Sequence, residues 1–209
     1  MDINKLTYLQ ALGISVWIPN TASASTAPPV SLDTLRTCVA SCQRCRLGQT
    51  RTQTVFGIGN EQADIMIIGE APGFHEDQEG KPFVGRAGQL LNAMLLAIGL
   101  TREQVFIANI IKCRPPNNRD PLADEIAACS EYLVQQVGYI KPKVICALGR
   151  IAAQYLLNTE VALGKLRQQR HHYQDIPLIV TYHPAYLLRN PIDKQKTYLD
   201  LLTLKGYLT

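Results

Sequence analysis

From residue 63 onward, short apolar runs alternate with segments of helical periodicity, and few architectures tolerate that pattern. Residues 64–69 read Asp-Ile-Met-Ile-Ile-Gly, a run with no polar face, as in a strand buried on both sides. Residues 105–111, 144–148 and 176–182 repeat the signature. Between and after these strands, residues 86–98, 120–137, 150–157 and 194–205 carry apolar residues at helical spacing. Strands separated by helices imply right-handed crossovers and a parallel sheet. The pattern predicts an α/β fold, a three-layer α/β/α sandwich around a central four-stranded parallel sheet. In such folds the site lies beyond the carboxyl ends of the strands. There the sequence places Glu70-Ala-Pro-Gly73, then Asn109 with Lys112-Cys-Arg-Pro-Pro116, then Gly149-Arg150, then His183-Pro-Ala-Tyr186.

The chain has 209 residues, 46% of them hydrophobic and 18% charged, enough to bury a real core. That excludes disorder throughout and a small disulfide scaffold. The formal net charge of +4 is too small for a charge-driven nucleic-acid coat, but it permits phosphate contact. Residues 20–31 are small, polar and Pro-containing, which reads as a linker. It separates an N-terminal extension, residues 1–19, from a domain spanning 32–209, with Ser31 and Asp33 offering caps for a first helix. The start, Met-Asp-Ile-Asn-Lys, lacks the basic region of a signal peptide, and no window approaches 18 uninterrupted apolar residues. The expectation is a cytoplasmic chain with no membrane span.

In the cytoplasm thiols stay reduced, so six cysteines suggest metal or catalysis before disulfides. Cys38, Cys42 and Cys45 form C-x3-C-x2-C, with Cys113 and Cys129 following. A C-x2-C pair presents two thiolates to one centre, and two further soft ligands complete a tetrahedral or cubane site. Spacing does not separate zinc from iron–sulfur, and five candidates compete for four places. Cys146 lies inside an apolar run and reads as a small core residue.

Residues 69–88 hold five Gly, two Pro and four acids. A connection of this length is usually functional, and its glycines let backbone N–H groups approach a ligand. It is neither a P-loop nor a dinucleotide fingerprint. Glu70 is a candidate to position water or hold the loop. Phe83 is either a stacking surface or a core residue, and Glu76, Asp77 and Glu79 read most simply as a solvated turn.

Taken together these segments resemble the family 4 uracil-DNA glycosylases, the iron–sulfur type, over about four fifths of the chain. The resemblance rests on Gly69-Glu-Ala-Pro-Gly73, Glu76-Asp77, Gly80-Lys-Pro-Phe-Val-Gly-Arg-Ala-Gly88, Asn109-Ile-Ile-Lys-Cys-Arg-Pro-Pro116, Asn118-Arg119-Asp-Pro121 and Tyr182-His-Pro-Ala-Tyr-Leu-Leu-Arg189. It implies base-excision repair: hydrolysis of the N-glycosidic bond of deoxyuridine in DNA, releasing uracil and leaving an abasic site. It implies catalytic roles for Glu70, for Glu76 as an acid near the site, and for His183 against the departing uracil anion. The backbone at Ala71 would contact uracil, Phe83 would stack on the flipped base, and Asn109 would read its edge. Cys42, Cys45, Cys113 and Cys129 would hold a [4Fe-4S] cluster, leaving Cys38 spare. The segment 183–189 would supply a minor-groove wedge, with Leu187 or Arg189 filling the gap as the base leaves. Phosphate contacts are expected from Arg86, Lys112, Arg114, Arg119 and the basic run 165–172.

Two other readings fit parts of the pattern. One is a covalent uracil-DNA-binding branch of the same superfamily, which carries a basic loop with a reactive histidine; here 165–172 is basic and holds His171 and His172. The other is a non-catalytic nucleic-acid-binding module with a structural metal. The protein is expected to act as a monomer on single- or double-stranded uracil-containing DNA. In the extension, Leu9-Gln10, Leu12-Gly13-Ile14 and Trp17 resemble the N-terminal peptide of the psi subunit of the bacterial clamp loader. That implies a docking peptide for a replication or repair protein, against the plainer reading of a helix folded back on the domain.

Overall fold

A computed structural model describes residues 31–208. The N-terminal extension and nearly all of the linker, with the docking-peptide reading they carry, lie outside the described residues.

The described residues open with α1 (Leu32–Ala40), capped by Ser31, whose side chain accepts the Thr34 N–H at 3.1 Å. A short α2 (Leu47–Thr50) follows, then β1 (Ile58–Gly59), β2 (Ile65–Gly69), α3 (Phe74–Glu79) and α4 (Arg86–Leu96). Next come β3 (Phe106–Asn109), α5 (Ala123–Ile140), β4 (Val144–Leu148), α6 (Arg150–Leu157) and α7 (Leu163–Leu166). The chain closes with β5 (His171–Tyr173), β6 (Ile176–Thr181), α8 (Pro184–Arg189) and α9 (Lys194–Lys205). None of the described helices is long and apolar enough to cross a membrane.

Among the described residues the sheet has six strands in the order β1-β3-β2-β4-β6-β5. The central four are parallel, as the alternation predicts, but β1 and β5 add antiparallel edges and make the sheet mixed. Both additions lack a sequence signal. β1 is two residues long and lies between Gly57 (φ 143) and the positive-φ position at its own end, Gly59 (φ 128). β5 joins β6 through Gln174 and Asp175, both at positive φ (49 and 66), the geometry of a tight hairpin turn without its usual Asn-Gly signature.

Every residue of β2 and β4 is buried, and alternate side chains serve opposite faces. Ile65, Ile67, Val144, Cys146 and Leu148 pack towards α4, α8 and α9. Met66, Ile68, Ile145 and Ala147 pack towards α1, α5 and α6. Cys146 is a core residue, as expected. α5 starts at Ala123 rather than 120, because Glu125 reaches back to accept the Leu122 N–H at 2.9 Å and fixes the cap there. A buried pair ties the far side: Arg167 grips Asp200 at 2.8 and 3.0 Å, and Thr181 donates to the same carboxylate at 2.7 Å. That pair takes Arg167 out of the basic run proposed for phosphate. His171 and His172 belong to edge strand β5.

Strand order reverses beside β2, whose two neighbours, β3 and β4, both follow it in sequence. The crevice beyond β2 and β4 is therefore the topological switch point where α/β folds bind ligands.

Candidate active site and cysteine centre

A cleft of about 570 Å³ opens at that switch point. Its wall includes Glu70, Ala71, Gly73 and Glu76 from the segment after β2, Asn109 from the end of β3, and Arg150 after β4. Phe83, Arg119, His183 and Arg189 complete the ring, so eight residues predicted for the site (Glu70, Ala71, Glu76, Phe83, Asn109, Arg119, His183 and Arg189) meet in one place. Neither His171 nor His172 lines it.

Asn109 sits on the floor, 2% exposed, and its Oδ1 accepts no hydrogen bond. A buried carbonyl without a donor costs its full desolvation penalty, roughly 1–3 kcal/mol, unless a ligand supplies the donor. Gly69 makes the room: a Cβ there would stand 2.4 Å from that oxygen and 2.7 Å from Phe83 Cζ. The floor is rigid from below. Lys112 is buried, and its ammonium donates to the Asn109 carbonyl at 2.6 Å and to Gln136 Oε1 at 2.5 Å. Burial pulls the Lys112 ammonium down to about 8. A side chain so enclosed cannot reach a phosphate, which corrects that expectation.

Phe83 is buried and held at φ 54, a left-handed conformation that an aromatic residue adopts only under constraint. The constraints are visible. Glu76 Oε1 accepts the N–H groups of Val84 (2.9 Å) and Gly85 (3.1 Å). Arg102 donates to the Pro82 carbonyl and, at 2.9 Å, to that of Phe83. Glu76 is thus the clamp of the Phe83 turn, with Oε1 occupied by backbone. Asp77 departs from the solvated-turn reading: it is buried and accepts the Thr52 N–H at 2.9 Å.

His183 faces the Phe83 ring at 5.6 Å between centroids. Its Nδ1 accepts the Ala185 N–H at 3.1 Å, so the neutral ring carries its proton on Nε2 as a donor. Burial, and then the nearby Arg189 charge, pull its pKa down to about 4 against the opposing pull of Glu76. The ring is neutral at physiological pH. Gly149, at φ 90, seats it: a Cβ there would meet His183 Cβ at 2.8 Å. Glu70 behaves oppositely. Burial, then the Asp120 carboxylate, push it up to about 7, and Arg150 only partly offsets them. Arg150 itself pairs with Asp120 at 2.8 Å.

Cys42, Cys45, Cys113 and Cys129 line a single cavity between α1, α5 and the segment after β3. Cys38 is exposed and does not line it. Among the described residues no three His, Cys, Asp or Glu side chains are grouped to hold a metal ion as placed. The surrounding donors nevertheless suit thiolates. The Arg44 N–H points at Cys42 Sγ (3.5 Å), Arg51 Nη1 at Cys113 Sγ (3.2 Å) and the Lys112 N–H at Cys129 Sγ (3.3 Å). Burial pushes the Cys113 thiol up to about 11 and raises Cys129 too, so a positive centre is needed to keep them ionised.

Residues 56–203 match the uracil DNA glycosylase superfamily. The type-4 uracil-DNA glycosylase of Saccharolobus solfataricus is 49% identical over 86% of this chain and 87% of its own. That of Archaeoglobus fulgidus is 47% identical over 77% and 85%, and that of Thermotoga maritima 44% over 73% and 80%. The chain belongs to the type-4 uracil-DNA glycosylases.

The rim of this site differs from the sequence reading in two places, Leu187 and Arg119. Leu187 is fully buried among the residues facing α4 and α9, so it cannot enter a groove; its neighbours Leu188 and Arg189 are the exposed ones. Arg119 lines the cleft, but its fork grips buried Glu125 at 2.6 and 2.8 Å, fastening the start of α5. Arg114 donates to Asn118 Oδ1 at 2.8 Å and lies over the Phe74 ring. Arg86 is exposed. The roles of Gly149, Arg102 and the Asp120–Arg150 pair were missed. Of these only Gly149-Arg150, placed after the third predicted strand, carried a signal.

Proposed function

We propose that this chain is a DNA-repair hydrolase that cleaves the N-glycosidic bond of deoxyuridine in DNA, releasing uracil and leaving an abasic site. The observation that carries the reading is the lone acceptor Asn109 Oδ1 on the floor of the cleft. Uracil presents an N3–H donor beside carbonyl acceptors, so one amide can accept from N3–H and donate to O4. Cytosine reverses that pattern and would leave the amide unpaired. The target base must leave the stack to arrive there. Phe83, fixed by Glu76 and Arg102, offers a preset surface for its face.

The bond breaks with negative charge gathering on uracil. Neutral His183 presents Nε2–H toward the pocket, and a donor aimed where charge develops lowers the barrier. The loop N–H groups of Ala71 and Gly73, on either side of Pro72, add to it. The sugar becomes cation-like and takes water; Glu70, ionised above about pH 7, orients that water on the cleft side. Leu188 and Arg189 take the wedge role, and Arg86 with Arg114 meets phosphate.

The four cavity-lining cysteines would hold a [4Fe-4S] cluster. When bound, the cluster would supply a four-point cross-link joining the segment after α1 (Cys42, Cys45), the segment after β3 (Cys113) and α5 (Cys129). Cys113 stands four residues from Asn109, so the cross-link braces the floor of the pocket. The reading places the protein in the cytoplasm, acting as a monomer on uracil-containing DNA.

Incubating the cluster-loaded protein with a deoxyuridine oligonucleotide and boiling in detergent tests this. Free uracil with no adduct is expected; an adduct that survives boiling would move the chain to the covalent branch.

A further inference from the structure

One aromatic stands outside the core, beside the cleft. Of the four phenylalanines, Phe56, Phe83 and Phe106 are at most 6% exposed, whereas Phe74 is 52% exposed. Phe74 opens α3 directly after Gly73, and Gly73 lines the cleft. Consecutive Cα atoms are ~3.8 Å apart, so the backbone that carries the ring adjoins the cleft wall, and the ring stands just outside the lining. The Arg114 guanidinium lies 5.0 Å from the ring centroid, over its face. Arg114 is fixed there by its bond to Asn118, and both Asn118 and Pro115 line the same cleft. His75 meets the ring edge-on at 5.5 Å.

A solvent-facing ring backed by a cation is how single-stranded nucleic acid is gripped. Every base has a π-face, so such a contact tolerates any sequence. It needs a base free of its own stacking neighbours, which a single strand offers and a duplex does not. The cation beneath adds attraction for the adjoining phosphate.

We propose that Phe74, backed by Arg114, is a stacking platform for the nucleotide next to the one in the pocket, and that it tilts the protein toward unpaired DNA. The proposal rests on the glycosylase reading above and deepens it. Phe74 holds the strand; it touches no reacting atom.

The test uses single strands carrying one deoxyuridine with 2-aminopurine on its 5′ or 3′ side, and the same strands in duplex. Wild type should quench 2-aminopurine on one side when the complex forms. Phe74→Leu should lose the quench and lower the single-strand to duplex ratio of kcat/KM by roughly tenfold. Phe74→Trp should restore both. Phe74 is surface-exposed, so an unchanged melting temperature will show that Phe74→Leu is folded. Wild type that releases no uracil from either substrate defeats the glycosylase reading itself. Wild type that releases uracil while Phe74→Leu keeps both quench and ratio overturns the platform, and leaves the ring for a protein partner.

Discussion

At the scale of single residues, two titrating groups in one cleft are pushed in opposite senses. Glu70 is raised to about 7 and His183 lowered to about 4. Only Glu70 therefore titrates across the physiological range. Uracil release should fall as pH drops through about 7, and Glu70→Gln should remove that limb while lowering the plateau. A limb near pH 4.5, or one that survives Glu70→Gln, would exclude Glu70 as the titrating group. Stability moves the other way. Glu70 binds its proton more tightly folded than unfolded, so its charge costs stability above about pH 7 and the cost fades as pH falls toward 4.5. Glu70→Gln should then raise the melting temperature by a few degrees at pH 8 and by less at pH 5. Asn109 and His183 were legible as candidates because they sit at predicted strand ends, and Phe83 because it lies in the Gly-rich loop after the first of those strands. Their state was not. The missing partner of Asn109 Oδ1, the tautomer of His183 and the left-handed backbone of Phe83 depend on neighbours distant in sequence.

Among the elements, the four parallel strands could be read directly, because burial on both faces leaves uninterrupted apolar runs. The edge strands could not, since β1 has two residues and β5 is polar. The loop after β2 hid a helix: α3 spans only Phe74–Glu79 and closes at Gly80 in the left-handed conformation. What the elements do for the site is to bring backbone close to side chain. A methyl group at Gly69 would overlap Asn109 Oδ1 and Phe83, and one at Gly149 would press on His183. Gly69→Ala should lower kcat/KM by roughly 100-fold, the scale of a displaced catalytic group, with only a modest loss in melting temperature. Comparable losses of fold and activity would mean that Gly69 serves the strand rather than the pocket.

Over the whole molecule, one observed and one proposed device fasten the layers on opposite sides of the sheet. The Arg167–Asp200–Thr181 group ties α7, β6 and α9 together away from solvent. Breaking a buried pair leaves a lone charge, so Asp200→Ala should destabilise the protein by about 3–5 kcal/mol in denaturant unfolding, without changing the pH limb of uracil release. On the proposed reading, a [4Fe-4S] cluster held by the four cysteines would fasten the other side, where α1 and α5 meet. Cys113→Ala should abolish brown colour and visible absorbance and weaken DNA binding along with stability. The most direct test compares uracil, cytosine and thymine release from matched single-deoxynucleotide substrates by the cluster-loaded protein and its Asn109→Ala variant. The account predicts uracil alone from the wild type, and at least a 100-fold slower release from the variant, as expected when a base-reading bond is lost. Cluster-loaded wild type that releases no uracil, or an Asn109→Ala variant that keeps the wild-type rate, would contradict it.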